Sequence, residues 1–215
     1  MDIEIRQEQP RDYRETENVV REAFWNVYMP GCDDHYLVHI LRTHPKFVPT
    51  LDLVAVHDGK IIGNVVCMRS VIRGDDGKEY EVLSLGPIAV LPAYQRRGVG
   101  TKLIAHTKEI ARKMGFRAIL LCGNPAFYKK QGFIAAEHYG IRTAENMYAD
   151  ALHVCGLYDG ALNGIAGRYH EDAVYDIDAA AAEAFDKDFP PKEKIVGTPT
   201  QQYFLEMVQR KRPVE

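Results

Sequence analysis

Strand-like and helix-like hydrophobic patterns follow one another from the beginning of the chain. Isoleucines that alternate with charged residues predict a short strand at residues 3–5. Apolar residues at helical spacing then predict a helix that begins near Asp12. A second helix is predicted to begin after Asp33 or Asp34 as N-cap and to close before Pro45.

A meander of three strands is predicted next. Apolar runs at residues 51–56 and 61–72 flank the Asp-Gly pair 58–59, which is a strong signal for a β-hairpin. Glycines and aspartates at residues 74–77 mark a second turn. The third strand is predicted over residues 79–90.

The following segment predicts a helix and then a strand that runs parallel to the meander's last strand. Residues 99–114 carry one apolar stripe at helical spacing, and Gly115 is placed as the C-terminal cap. The apolar run 118–122 is typical of an interior parallel strand. A short helix over residues 125–130 and a strand at Phe133 complete this part.

The last third of the chain has a different character. An alanine-rich helix is predicted over residues 178–186, a proline break at 189–191 and a closing helix over 200–210. We therefore predict two parts: a main domain at residues 1–145, and an extension at residues 146–215 that packs on the main domain or on a second subunit.

Composition narrows the class of protein. The chain has 215 residues, 46% of them hydrophobic and 27% charged, with a net charge of -3, which is ordinary for a soluble globular protein. No basic excess suggests a nucleic-acid or membrane partner. Without a signal-like N-terminus or an apolar run near the ~20 residues of a membrane span, we expect a cytoplasmic protein.

Cysteines and histidines offer little support for a metal site. The four cysteines form no CxxC pair and are predicted to be reduced: Cys32, Cys67, Cys122 and Cys155. Cys67 and Cys122 lie in apolar runs, which predicts burial. His35 and His39 have a spacing that can bind metal, but no third ligand is evident, so we expect surface or substrate-pocket positions and no metal.

The stretch LGPIAVLPAYQRRGVGTKLI, residues 85–104, joins the third meander strand to the following helix. Its glycines do not fit two familiar phosphate motifs. A P-loop requires Gly-Lys-Ser/Thr, but Gly100 precedes Thr101-Lys102 in the reverse order. A dinucleotide fingerprint requires a third glycine where Leu103 stands. A nucleotide-binding protein is therefore disfavoured.

The physics of anion binding nevertheless applies to residues 95–101. Free backbone N–H groups and the positive end of a helix favour a pyrophosphate at a strand-to-helix junction. Gly98 and Gly100 let the backbone approach such a group closely. Three side chains add positive charge or a hydroxyl: Arg96, Arg97 and Thr101.

This stretch resembles the GNAT superfamily of acyl-CoA-dependent N-acetyltransferases. The family pattern Q/R-x-x-G-x-G/A after a strand matches residues 95–100, QRRGVG, and NPAFYKKQGF at residues 124–133 also looks like the family. The resemblance covers roughly residues 3–140. It implies an α/β GNAT fold, with a mixed central sheet splayed between two parallel strands, flanking helices and a C-terminal extension.

The resemblance also implies a site for acetyl-CoA as co-substrate. The pantetheine arm would lie in the splay, and residues 96–101 would wrap the pyrophosphate. Lys129 or Lys130 would reach the 3′-phosphate region. The residues expected to bind the co-substrate are Ile88, Ala89, Val90, Gln95, Arg96, Arg97, Gly98, Val99, Gly100, Thr101 and Asn124.

Proton transfer is assigned partly by the resemblance and partly by chemistry. Tyr128, four residues before Gly132-Phe133, takes the family's general-acid position, and an ordinary tyrosine keeps its proton at neutral pH. Glu81 is the possible base on the strand before the motif, and Glu79 begins that strand. For both glutamates a solvated strand position is the favoured interpretation, and Ser84 is an alternative through a bound water.

The acceptor side is implied to lie in the first helix-to-helix region. Acids and aromatics there suit a cationic amine, although ordinary loop composition explains them equally well. These residues are Trp25, Tyr28, Asp33, Asp34 and Tyr36.

We predict transfer of an acetyl group from acetyl-CoA to a primary amine, by direct attack in a ternary complex. A covalent route through Cys122 ranks lower because that thiol is predicted to be buried. The rival class is a non-catalytic acyl-CoA-binding regulatory module, which would not need Tyr128. The acceptor stays open among polyamines, antibiotics, amino acids and protein N-termini, and a homodimer is possible.

Overall fold

The computed structural model describes residues 1–214 and contains a mixed sheet with helices on both faces. The strands are β1 (Glu4–Gln7), β2 (Leu53–His57), β3 (Lys60–Gly74), β4 (Glu79–Val90), β5 (Ala118–Cys122), β6 (Ile134–Ala135), β7 (Ile141–Arg142), β8 (Met147–Ala149), β9 (Leu152–Gly156), β10 (Gly167–His170) and β11 (Lys211–Pro213). The helices are α1 (Tyr13–Phe24), α2 (Asp34–Leu41), α3 (Val99–Lys113), α4 (Pro125–Tyr128), α5 (Ala179–Asp186) and α6 (Pro199–Gln209).

The main sheet has the order β1-β2-β3-β4-β5-β9-β6, and β10 adds to β3 and β7. The meander of β2, β3 and β4 is antiparallel, whereas β4 and β5 are parallel. The predicted meander, the α3 helix and the parallel strand β5 are therefore confirmed. The predicted N-cap of α2 is Asp33, although its side chain accepts no capping hydrogen bond.

The two parallel strands separate after a short contact. They pair only at Leu83 with Ile119 and at Ser84 with Leu120, within residues 1–214. Beyond Ser84, β4 continues along β3 up to Val90, while β5 follows β9. The predicted splay of the central sheet is confirmed, and it opens towards the C-terminal ends of both strands.

Each face of the sheet packs against different helices. On one face, Leu103 and Ile104 of α3 join Leu83 and Leu85 of β4 in a buried cluster. Gly63 of β3 is needed there, because a Cβ atom would lie 2.9 Å from the Ala89 carbonyl oxygen and 3.2 Å from side-chain atoms of α3. The opposite face carries α1 and α2 over residues of β3 and β4.

The predicted boundary at residue 145 does not separate two folded units. Strand β9 pairs with β5 along all five of its residues, and β10 pairs with β3. Val154 and Tyr169, from these two strands, are buried in the same cluster as Ile72 of β3. An apolar sheet face must be covered wherever its strands come from, so residues 146–170 complete the sheet of the main domain.

The last helices are attached to α1 and α2 by buried polar contacts. Asp186, the last residue of α5, lies 2.6 Å from Arg21 Nε and 3.0 Å from His35 Nε2. Both partners are almost completely buried, at 1% and 0% exposure of the side chain. The predicted surface or pocket position of His35 is therefore wrong: its ring packs against Phe185 and Phe189.

One predicted burial is also wrong. Cys67 is buried, as expected for the middle of β3, but Cys122 is exposed. Cys122 is the last residue of β5, where the sheet has already opened. Among residues 1–214, no helix is long and apolar enough to cross a membrane.

Candidate active site

The backbone of β4 beyond the splay is unpaired on its β5 side. Residues 88–90 bond to β3 through Val65, Asn64 and Gly63, and no pairing with β5 reaches them in residues 1–214. Ile88 and Val90 turn their side chains towards the α3 cluster, and Ala89 packs on the α1 and α2 face. The three residues thus offer a free strand edge to an extended molecule lying in the splay.

The loop before α3 is shaped for a negatively charged group. Arg96 and Gly98 have positive φ angles, of 58° and 85°, and Gly98 is the N-cap of α3 in the left-handed conformation. The first N–H groups of an α-helix have no intrahelical partner, and no side chain caps them in α3. Their positive helix end favours an anion.

The side chains of this loop divide into exposed charges and internal supports. Arg96, Arg97 and Thr101 are exposed, and neither arginine forms an ion pair in the part of the chain that the structure describes. Gln95 donates from Nε2 to the Val90 carbonyl oxygen at 3.0 Å, which ties the loop to the end of β4. Val99 is buried in the core, so only its backbone is available to a ligand.

Gly100 and Asn124 lie on either side of the opening. A Cβ atom on Gly100 would lie 3.5 Å from Phe127 and 3.8 Å from Val90, which are ordinary contact distances. Asn124 is the N-cap of α4, and its side-chain oxygen accepts from the Ala126 N–H at 2.9 Å. That bond occupies the oxygen and leaves the amide NH₂ group of Asn124 for another partner.

Tyr128, the last residue of α4, is half-buried beside the end of β5. Its ring packs against Phe133 and lies close to Gly123, where a Cβ atom would overlap it. Burial raises the pKa of Tyr128 well above its ordinary value, and the nearby Tyr28 and Cys122 add to this effect. The hydroxyl therefore holds its proton throughout the neutral range.

The two acids of β4 lie away from the splay. Glu81 forms an ion pair with Arg69 at 2.8 Å, and Glu79 pairs with Arg73 at 3.3 Å. Side chains alternate along a strand, so Glu81 shares the α3 face of Leu83, whereas Ser84 faces the other side. Both glutamates are exposed surface residues before the point where the strands part.

Ser84 instead joins a polar network that the C-terminal part of the chain completes. Its Oγ accepts from the Tyr169 hydroxyl at 2.7 Å and donates to Glu171 Oε1 at 3.3 Å. The Tyr175 hydroxyl donates to the carbonyl oxygen of Gly86 at 3.3 Å. Three side chains from residues 169–175 thus lie over β4 at Ser84 and Gly86, where its pairing with β5 ends.

A cavity of about 450 Å³ adjoins this network. Its wall includes Tyr169, Glu171 and Tyr175 of the network and Cys122 at the end of β5. Enclosure raises the pKa of the Cys122 thiol to about 12, and the negative charge of Glu171 acts in the same direction. Cys122 is therefore accessible but protonated at neutral pH.

The residues expected on the acceptor side contact the last helices. Trp25 donates from its indole nitrogen to the Glu193 carbonyl oxygen at 2.9 Å, and Tyr28 stacks on Phe204 of α6 at 4.7 Å. Tyr36 packs on Phe185 of α5. Burial raises the pKa of the Asp34 carboxyl to about 7. Within residues 1–214, no group of three or more His, Cys, Asp or Glu side chains is arranged to hold a metal.

Sequence reasoning missed the roles of Tyr169, Glu171 and Tyr175 near the splay. The stretch RYHEDAVYD at residues 168–176 is rich in tyrosine and acid, but no motif spacing links it to β4. Its place depends on β10 pairing with β3, which brings together residues about 85 positions apart, as the Ser84–Tyr169 hydrogen bond shows.

Comparison with known proteins identifies the class. The model of the Acetyltransferase (GNAT) family matches residues 5–133. The Uncharacterized N-acetyltransferase YhbS of Escherichia coli K12 is 34% identical over 138 residues, which cover 63% of this chain and 80% of that protein. This chain belongs to the Acetyltransferase (GNAT) family and is an N-acetyltransferase.

Two solved structures extend the likeness beyond the matched region. A GNAT family N-acetyltransferase (YhbS) from Escherichia coli, in complex with CoA, is 26% identical with a TM-score of 0.72 and covers 81% of this chain and 92% of that one. A GNAT family acetyltransferase from Brucella melitensis, in complex with acetyl-CoA, is 27% identical with a TM-score of 0.66 and covers 81% and 99%. In both comparisons, the 81% of this chain that is covered is longer than the predicted main domain of residues 1–145.

Proposed function

We propose that this enzyme transfers an acetyl group from acetyl-CoA to a primary amine, by direct attack within a ternary complex. The observation that carries the proposal is the parting of β4 and β5 after Ser84 and Leu120, beside an uncapped helix N-terminus. An extended thioester fits the first feature and a pyrophosphate fits the second. The CoA and acetyl-CoA complexes of the two similar structures support the same choice of co-substrate.

Binding of acetyl-CoA is divided among three parts of the site. The first N–H groups of α3, with Arg96 and Arg97, take the pyrophosphate, and the exposed hydroxyl of Thr101 adds a donor. The free edge of residues 88–90 bonds the pantetheine as one more strand would. The amide NH₂ group of Asn124 and the exposed Lys129 or Lys130 take more distant parts of the molecule.

Tyr128 supplies the proton that the leaving sulfur requires. The raised pKa keeps the phenol protonated until negative charge develops on sulfur. The closeness of the Tyr128 ring to Gly123, just beyond the end of β5, supports this role, because the strands have parted there. A general acid contributes most where the bond to be broken carries growing charge.

Direct attack is favoured over an acetyl-cysteine route. Cys122 is exposed at the cavity wall, but a thiol with a pKa of about 12 is almost entirely un-ionised at neutral pH, and the thiolate is the nucleophile. Initial-rate kinetics separate the two routes. Direct attack gives intersecting lines in double-reciprocal plots, whereas a covalent route gives parallel lines.

The experiment is an amine panel with acetyl-CoA, read by release of free thiol and by mass spectrometry of the product. The panel contains polyamines, aminoglycosides, amino acids and short peptides with free N-termini. We expect at least one product heavier by one acetyl group. Tight acetyl-CoA binding without turnover on any amine would favour the regulatory-module alternative. Gel filtration of the same sample tests whether the protein forms the possible homodimer.

A further inference from the structure

The reaction requires a group that removes a proton from the amine, because an aliphatic amine is mostly protonated at neutral pH. Protonation occupies the nitrogen lone pair, so an ammonium cannot attack a carbonyl carbon. Glu81, the possible base from the sequence, forms an ion pair with Arg69 on the other face of β4. The described residues place a different carboxylate beside the splay.

Glu171 has the position that such a group needs. Its Oε1 lies 3.3 Å from Ser84 Oγ, and Ser84 is the last β4 residue that pairs with β5. Its carboxylate also lines the cavity that Cys122 borders at the end of β5. The carboxylate therefore connects the parting point of the strands with the space open to an acceptor.

The carboxylate is held in place and still has a free oxygen. Tyr169 donates to Ser84 Oγ at 2.7 Å, and its hydroxyl lies 3.4 Å from Glu171 Oε1. Ser84 is 2% exposed and Tyr169 4% exposed, so this support is rigid. Both contacts end on Oε1, and Oε2 is left to accept from another donor.

We propose that Glu171 is the general base of this acetyltransferase, and that Ser84 and Tyr169 are its positioning residues. The proposal rests on the proposed function. Glu171 accepts one proton from the ammonium, directly or through one water. The freed lone pair forms the C–N bond at the thioester carbonyl, and the C–S bond breaks. Sulfur takes a proton from Tyr128, and the surplus proton on nitrogen returns through solvent to the tyrosine. Glu171 then releases the proton that it accepted to solvent, which restores the carboxylate.

The electrostatic surroundings suit this task. Glu171 is exposed to solvent at the cavity, but desolvation by the surrounding chain still raises the pKa of its carboxyl, although hydrogen bonds from Ser84 and Tyr169 oppose the shift. A base is most effective when its pKa approaches the working pH. The titratable or charged groups that share its cavity are Cys122, Glu145, Tyr169, Asp172, Tyr175, Asp176 and Lys211.

The test compares Glu171→Gln with Asp176→Asn in the full-length enzyme, using the amine that the panel selects. Asp176 lines the same cavity and has the same charge but makes no contact with Ser84, so it is a matched control. We expect kcat to fall about 100-fold or more in Glu171→Gln and only a few-fold in Asp176→Asn. Calorimetry should give the same acetyl-CoA affinity for both variants and the parent.

The pH profile separates a base from a merely structural residue. Parent kcat should fall as pH drops through the raised pKa of Glu171. The deficit of Glu171→Gln should shrink at alkaline pH, where the amine loses its proton to solvent. Asp34 of α2 also titrates in this range, with a pKa of about 7, so the ratio of variant kcat to parent kcat is the quantity to follow.

Each outcome decides the matter. Retention of most of kcat by Glu171→Gln, or a deficit that is constant with pH, overturns the proposal while the transferase function stands. If Glu171→Gln is misfolded by circular dichroism, Glu171→Asp replaces it. That variant keeps the carboxylate but retracts it, so its kcat should be intermediate and should fall at acidic pH as the parent's does. Full activity of Glu171→Asp overturns the proposal. A parent that acetylates no amine overturns both proposals.

Discussion

The loop at residues 95–101, which we propose binds the pyrophosphate, and the polar segment at residues 169–175 reach the candidate site by opposite routes. The loop is a local structure: a turn with two positive φ angles and an uncapped helix, all within seven residues. The segment reaches the site through strand pairing, since β10 must first pair with β3 before Tyr169 can meet Ser84. Local sequence encodes the first and long-range packing encodes the second.

This difference predicts a division of labour. Backbone groups of a turn recognise a pyrophosphate that every acetyl-CoA molecule carries, so a short motif is sufficient. An acceptor varies from enzyme to enzyme, and in our proposal it contacts side chains from a part of the chain outside the matched family region. Substitutions in the loop should therefore change the affinity for acetyl-CoA, and substitutions in the segment should change how the enzyme uses the acceptor amine.

The largest expected effect comes from removing the segment altogether. A chain that ends at Tyr148 lacks β9 and β10, with the buried residues Leu152, Val154 and Tyr169. Each buried apolar side chain contributes about 1.5–3 kcal/mol, and whole domains are stable by only about 5–15 kcal/mol. We expect an unfolded or aggregated protein by circular dichroism and light scattering.

The matched control ends at Arg210 and removes β11, which pairs only with the short strand β8. It should unfold within a few degrees of the full chain. A protein ending at Tyr148 with an unchanged melting temperature would show that residues 149–215 are dispensable for the sheet.

Tyr128→Phe should have the next largest effect, on rate alone. The substitution removes one oxygen and keeps the packing of the ring on Phe133. We expect kcat to fall by ~10²–10⁴-fold, the usual loss for a general acid, with KM for acetyl-CoA almost unchanged. Steady-state kinetics on a good acceptor amine test this. A folded variant that retains most of its kcat would remove Tyr128 from the mechanism.

Gly100→Val should weaken the binding of acetyl-CoA without unfolding the protein. A Cβ atom fits at ordinary distances from Phe127 and Val90, but the branched side chain crowds the free N–H groups of α3. Loss of one hydrogen bond to a charged group costs about 1.5–3 kcal/mol, or ~10–100-fold in affinity. Calorimetry with acetyl-CoA measures this loss.

Ala105→Val is the control for the loop, because Ala105 is exposed on the same helix one turn further along. It should leave acetyl-CoA affinity unchanged. Equal affinities in Gly100→Val and the parent would contradict the phosphate-binding role of the loop.

The smallest expected effect concerns the contact of α5 with α2. Burial lowers the pKa of His35 from 6.5 to about 4, so the folded state favours the neutral ring. Below pH 6.5 the unfolded chain binds a proton that the folded chain excludes, and stability is lost as pH falls towards 4. Between pH 7 and 5.5 the loss from this one group should be about 1 kcal/mol.

Urea unfolding at several pH values measures that loss. In His35→Gln, the free energy of unfolding should depend less steeply on pH. His44→Gln, at a partly exposed histidine beside Asp172, serves as control. Identical slopes in the parent and His35→Gln would show that the buried ring does not govern the pH dependence.

The sequence alone determined most of the frame. Three elements could be predicted because each depends on neighbours in the chain or on a simple period. They are the Asp-Gly turn at 58–59, the strand over 79–90 and the apolar stripe of α3. The same holds for the loop at 95–101, where glycines and a helix start lie side by side. Local conformational preference and periodicity leave a trace in any short window of sequence.

Only the tertiary structure decided which acid faces the splay. Glu81 lies on β4 close to the motif and was only a possible base from the sequence, whereas Glu171 follows β10 and was not singled out. Strand alternation turns Glu81 to the α3 face, where it pairs with Arg69, whereas pairing of β10 with β3 carries Glu171 to Ser84. The exposure of Cys122 was likewise decided by the parting of β4 from β5. Such contacts join positions far apart in the chain, and one sequence contains no local signal for them.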